Sequence, residues 1–358
     1  MKRLFILLAL LAVAVAPVGA SESTESSELN PGSIIIGHVT DAHSWHILDY
    51  RDKAGHEHAV AVPLPVILIH DGHLDLFMSS RFEHGHADHK GYRLVGGGLV
   101  KEEIICVDAE GNPTGEKPID LSITKTAAAI IIAVVLLCVL VLCTARMYKK
   151  RGVGAPKGVQ SLVEMLVCHV RDEMAAPMIG PKYEKYLPYL LTLFFFIFGC
   201  NALGLIPFFP AGANITGNLA VTAILALITF VIVTVSGNKH YWTDIVNTPG
   251  VPAWLKIFPL MPIIEIVGVF TKPFVLMVRL FANMTAGHIV ILAFVVIIFI
   301  ISNLFGTIAG GAVSVLSVFF DVFIGALECL VAYIQAYVFT MLTALYIGMA
   351  VAEPAHEN

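Results

Sequence analysis

Arg279 sits in the run Phe274-Val275-Leu276-Met277-Val278-Arg279-Leu280-Phe281-Ala282-Asn283-Met284, and no Asp, Glu, Lys or Arg follows it until Asp321. A guanidinium stays charged in proteins. At the centre of a bilayer it costs roughly 2.5–3.5 kcal/mol on insertion scales, so such a residue needs a partner or a task. Glu265, Lys272 and Arg279 are spaced seven apart, which keeps all three near one helical stripe. Asn283, four beyond Arg279, is close to that stripe. His288, nine beyond Arg279, is half a turn out of phase and faces away. On the next apolar stretch Glu328 and Gln335 are again seven apart and share a face. Each residue has a bland reading. Glu265 and Lys272 could be an interfacial ion pair, Asn283 and Gln335 could be interhelical glue, and His288 with Glu328 one structural pair. Together, Arg279, His288 and Glu328 with two amides on adjacent apolar helices point to an ion pathway. His and Glu can pass protons near neutral pH. Arg cannot, so its role must be electrostatic.

Composition fixes the setting of these residues. The 358 residues are 57% hydrophobic and only 14% charged, against about 25% charged in soluble domains. The chain is expected to be an all-α polytopic membrane protein. A net charge of −5 argues against a nucleic-acid partner. The six cysteines show no CxxC spacing. Cys106 alone falls in the segment placed outside the membrane, so no intrachain disulfide framework is expected there.

The elements that must hold the polar groups read off in order. Residues 1–20 have the basic start, apolar core and small-residue end of a signal peptide. Residues 21–125 are expected to be an exported, His-rich and β-rich segment, with strands at Ser33–Ile36, Ala59–Ile69, Leu74–Met78 and Ile104–Val107. Turn signals are Asp71-Gly72, Gly96-Gly97-Gly98 and Gly111-Asn112-Pro113. Ten of the fourteen histidines lie here. His84, His86 and His89 are weak metal candidates, but no strict ligand spacing recurs, so neither a metal nor another cofactor is expected.

Residues 126–358 are expected to be the membrane domain, with about five transmembrane helices. Lys125 and Arg146 bracket 20 uncharged residues, enough for a ~30 Å hydrocarbon core. Arg146, Lys149, Lys150 and Arg151 mark that end as cytoplasmic. Val159, Leu162, Val163, Leu166 and Val170 predict an amphipathic interfacial helix, with Gln160, Ser161 and Glu164 on other faces. Spans follow at about Tyr186–Pro207 and Leu219–Ser236, separated by the turn Pro207–Asn214. The last two helices, about Phe258–Leu304 and Ala312–Val351, are too long to cross upright and must tilt or kink, with Pro262 and Pro273 as candidate bends. The N-terminus is then exterior and the C-terminus cytoplasmic.

Three segments resemble one family. Lys272-Pro273 through Arg279-Leu280-Phe281-Ala282-Asn283-Met284-Thr285-Ala286-Gly287-His288 is similar to the R-L-F-x-N-x-x-A-G motif of subunit a of the F-type ATP synthase. Asn201-Ala202-Leu203-Gly204-Leu205-Ile206-Pro207 resembles its N-L-L-G-L-I-P segment, and Tyr333-Ile334-Gln335-Ala336-Tyr337-Val338-Phe339 its L-Q-A-F segment, with Ile334 and Tyr337 as mild departures. The resemblance covers about residues 127–352. It implies a non-catalytic stator of a proton channel in a bacterial inner membrane, with c-ring rotor subunits, peripheral-stalk b subunits and the rest of the ATP synthase as partners. Arg279 would face the ring carboxylates, flanked by Asn283 and Gln335. Glu265 would lie towards the cytoplasmic access path. His288 and Glu328 would stand in the exterior half-channel, with identities exchanged relative to some members. The long His-rich segment departs from the compact family pattern, and the resemblance assigns it no role. The residues alone also allow a secondary ion transporter with an Arg/Glu/His midplane site, or a membrane anchor displaying the exported segment.

Overall fold

The protein is described by a computed structural model that covers residues 31–352, apart from 52–56, 86, 98–99, 109, 152–154, 207–210 and 247–259. The expected signal peptide at residues 1–20, the acidic tail and His86 lie outside the described residues. The first described element is α1 (Pro31–Val39), where a strand at Ser33–Ile36 was expected. Pro31 stands at the first helical position, where its fixed φ suits a helix and its missing N–H costs nothing. The half-buried Ile35, Ile36 and Val39 take β-branched residues into a helix because this segment packs against a long helix rather than into a sheet.

Seven short antiparallel strands follow: β1 (Ser44–Arg51), β2 (Glu57–Pro63), β3 (Pro65–His70), β4 (His73–Met78), β5 (Tyr92–Gly97), β6 (Val100–Cys106) and β7 (Ile119–Asp120). They form three small sheets, β1-β2, β4-β3-β7 and β5-β6. The expected run Ala59–Ile69 is two strands, broken at Leu64, whose N–H takes the Ser79 hydroxyl at 3.0 Å instead of a ladder partner. Asp71 and Gly72 both have positive φ, 49° and 76°, which makes their two-residue turn the kind that matches the twist of a hairpin. That turn registers His70 against His73. β3 alternates as a half-buried strand should: Val66 and Leu68 point inward onto Phe82, Tyr92 and Ile104.

The helical part begins with α2 (Lys125–Arg151). α3 (Val159–His169) continues through a wide π-type turn (Val170–Ala175) and the short α4 (Ala176–Ile179). α5 (Tyr183–Gly204), α6 (Leu219–Ser236) and α7 (Lys239–Val246) come next. α8 (Leu260–Phe305) and α9 (Thr307–Val351) close the chain. Five of these stretches are long and apolar enough to cross a membrane. One expectation for α3 is corrected. Gln160 is buried with Val163 and Leu166, while Val159 and Leu162 are exposed. Tyr148 of α2 bonds both Gln160 and Glu164, a partner on another helix that the periodicity of α3 does not show.

At 1.5 Å per residue α8 and α9 each run to about 70 Å, more than twice a ~30 Å hydrocarbon core, so both must cross obliquely. α8 passes through Pro273 without ending. Gly306 alone joins the two helices, with φ 87°, a left-handed conformation that favours glycine. They pack antiparallel. A Cβ on Gly310 would come within 2.6 Å of the Ser302 Cβ, and Phe294 stacks on Phe320 at 5.5 Å. The main core lies where α5, α8 and α9 meet, with Leu190, Phe194, Leu276, Leu280, Met284 and Ala336 almost fully enclosed.

Candidate functional site

Leu276, Leu280 and Met284 repeat every four residues and form the inward stripe of α8. Their burial fixes the direction of everything between them. Arg279 and Asn283 fall on the outward side and are exposed, together with Val275, Val278, Ala282 and Ala286. His288 turns inward. Among the described residues no carboxylate pairs with Arg279.

His288 Nδ1 lies 2.9 Å from Glu328 Oε1 and 3.0 Å from the Met284 carbonyl. Its Nε2 is 3.3 Å from the Gly204 carbonyl at the end of α5. Both ring nitrogens therefore face oxygen. Glu328 is only 4% exposed, the deepest acid on these helices. It fits there because Gly287 opposite has no side chain: a Cβ would stand 2.6 Å from Glu328 Oε1. Asn201, fully buried on α5, donates from Nδ2 to the Ala332 carbonyl at 3.2 Å and accepts from Thr216 Oγ1 at 2.6 Å. This fixes the α9 turn just after Glu328 against α5 and the loop before α6. Thr285 Oγ1 adds a bond to the Gly217 carbonyl at 3.3 Å.

Gln335, one stripe below Glu328, is buried at 6% exposure. Because His288 meets Glu328 and Lys272 meets Tyr346, Gln335 sits within about one turn of the level of Arg279. Lys272 does not pair with Glu265. Seven residues place the two about 10 Å apart, and the Lys272 ammonium instead lies 5.5 Å over the Tyr346 ring. Glu265 is half-buried near the start of α8. The weak metal candidates are not brought into a described cluster. His89 packs edge-on to Phe77 at 4.9 Å, and the side chains of His84 and His86 lie outside the described residues.

Two groups that hold this site did not stand out in the sequence as such. Gly287 was legible only as part of a motif, because its use is the space it leaves. Tyr346 gave no signal beyond an apolar helix. Asp321, seven before Glu328, carried a heptad signal that could have been followed.

At one end of this bundle the sheets meet the helices. Trp45 of β1 is 5% exposed and packs on Ala129, Ala133, Cys200, Ala213 and Ile215. In the same region His43 is enclosed by two acids, with Nε2 2.9 Å from Asp120 and Nδ1 3.3 Å from Glu102.

A family profile described as ATP synthase A chain matches residues 127–348, which contain the whole constellation. The chain belongs to that family. It is 46% identical over 239 residues to ATP synthase subunit a 2 of Chlorobaculum tepidum, covering 65% of this chain and 64% of that protein's length. It is 39% identical over 322 residues to ATP synthase subunit a 2 of Chlorobium luteolum, covering 85% and 89%. It is 44% identical over 250 residues to ATP synthase subunit a of Myxococcus xanthus, covering 67% and 76%. Residues 34–121 match a second profile, described as Domain of unknown function (DUF8433). Family membership makes the chain a multi-pass membrane component of an ATP synthase, and nothing found favours the secondary transporter.

Proposed function

We propose that this chain is the stator of the ATP synthase proton channel, with Arg279 facing carboxylates on a rotating c-ring. The observation that carries this reading is a charge on the outside of the bundle. Arg279 is exposed on the outward face of α8, where no carboxylate of this chain meets it among the described residues. Ala282 and Ala286 beside it are small, which lets a neighbouring helix approach closely. Asn283 and Gln335 flank the position, and Lys272 with Glu265 continue the stripe towards the cytoplasmic side.

The coupling follows from charge in a low dielectric. A proton enters from the exterior by way of His288 and Glu328 and neutralises a ring carboxylate. The neutral acid can then face lipid at little cost, whereas a carboxylate cannot. After nearly a full rotation the acid meets the field of Arg279, which lowers its proton affinity and favours release to the cytoplasmic side. The fixed guanidinium also blocks a direct leak between the two access paths. Each charge that crosses supplies about 2.3 kcal/mol per 100 mV, and rotation carries that energy to a catalytic head on other subunits, held by the peripheral stalk b subunits. In this reading residues 1–20 are a signal peptide, residues 21–125 lie outside a bacterial inner membrane, and the C-terminus is cytoplasmic.

The test is copurification with a c-ring and catalytic head, followed by ATP-driven pumping in vesicles. Arg279→Ala is expected to assemble and to lose coupled pumping entirely. Arg279→Lys should retain little, because the planar fork is lost. Full coupling in Arg279→Ala would refute the assignment.

A further inference from the structure

α9 carries a second carboxyl that the pathway above does not use. Asp321 precedes Glu328 by seven residues, so the two share a face about 10 Å apart along the helix. Asp321 Oδ1 is buried and has no hydrogen-bond partner among the described residues, and the same holds for Glu328 Oε2. A buried carboxyl oxygen without a partner is destabilising, and two on one stripe of an apolar helix call for a task. Between them stands Gly325, with no heavy atom within 4 Å of the position its Cβ would take. Beyond Asp321 the stripe continues with Ser317, 3% exposed, and Ser314. This is the half of α9 on the far side of Glu328 from Lys272 and Arg279, in the direction of Gly306.

We propose that Asp321 is a proton-relay carboxyl of the exterior half-channel, upstream of Glu328. The inference rests on the stator reading given above. A separation of about 10 Å exceeds hydrogen-bond reach, so water in the open space at Gly325 completes the link. The Asp321 carboxylate takes a proton from hydronium on the exterior side, leaving water. It returns that proton to the water beside Gly325, which protonates the Glu328 carboxylate. Asp321 ends as it began, so the step conserves charge and protons.

The experiment uses the whole ATP synthase in membrane vesicles. Passive proton conduction is read after the catalytic head is stripped, and ATP-driven pumping before. Asp321→Asn is expected to assemble normally and to conduct roughly 10²-fold more slowly, the scale of losing one proton-transfer group. Asp321→Glu should recover most of the rate, which a merely structural aspartate would not require. Gly325→Val fills the open space while leaving both acids in place, and should also slow conduction. The proposal is overturned if Asp321→Asn conducts at the wild-type rate. Arg279→Ala separates the two readings: its loss of coupling beside a fully conducting Asp321→Asn sinks the relay alone, whereas its full coupling sinks the stator reading.

Discussion

The His288–Glu328 contact joins two groups that can each hold a proton, and neither helix sequence dictates which residue sits on which side. The imidazole bridges Glu328, the Met284 carbonyl and the Gly204 carbonyl, so its position is held by backbone as well as by the acid. Exchange of the pair, His288→Glu with Glu328→His, keeps one acid and one imidazole at the same separation. We expect Glu328→Gln to lower ATP-driven pumping by about 10²-fold, and the exchanged pair to recover more than either single substitution. Pumping by the exchanged protein no better than by both singles would show that the site requires each group in its own place. At this scale the sequence was informative because period alone separated the outward Arg279 and Asn283 from the inward His288. It was silent on Gly287, whose contribution is an absent side chain, and on the Tyr346 ring that takes Lys272 from its expected acid.

Helices here are positioned by close backbone approach as much as by apolar burial. Gly348 of α9 lies against the Met178 carbonyl of α4, leaving no space for a Cβ. Gly348→Val would push α9 away from α4, an overpacking effect of about 1–3 kcal/mol or more. The expected result is a lower midpoint for thermal disassembly of the detergent-solubilised complex, whereas Gly268→Ala, where the Cβ would meet open space, should leave that midpoint unchanged. The long apolar helices and the Asp71-Gly72 hairpin were legible because length, hydropathy and a glycine turn each signal locally. The strand expected at Ser33–Ile36 failed because three isoleucines look alike in a strand and in a helix, and only the α8 surface decided between them. Gln160 misled for a similar reason: its partner, Tyr148, comes from a different helix.

At the scale of the whole molecule, the small sheets and the segment before them share one ion cluster around the buried His43. Burial alone would pull the His43 pKa down, but hydrogen bonds to Asp120 and Glu102, with their charges, raise it from 6.5 to about 9. Burial would raise Asp120, but bonds from His43 and Ser122 lower it from 3.8 to about 2. His43 therefore contributes stability in full below its ordinary value of 6.5, and loses it as pH rises through about 9. Asp120 contributes above its ordinary 3.8 and loses it as pH falls through about 2. Amide hydrogen exchange of β6 and β7 should be slowest between those limits. Asp120→Asn should flatten the alkaline limb, and an unchanged profile in that variant would exclude the cluster as its cause. The cluster joins β6 and β7 to the segment just before β1, and its residues are up to 77 positions apart. Such separations leave no local signal in a sequence.

The single-residue link at Gly306 also bears on how the chain enters a membrane. With one glycine between them, α8 and α9 have no slack in which one could settle while the other waits in water. They partition as a hairpin, and His288 meets Glu328 across that hairpin as the two strands of helix close on each other. His288 and Glu328 enter lipid already facing each other. These two expensive side chains are thus delivered together, whereas Arg279 arrives with no carboxylate partner among the described residues.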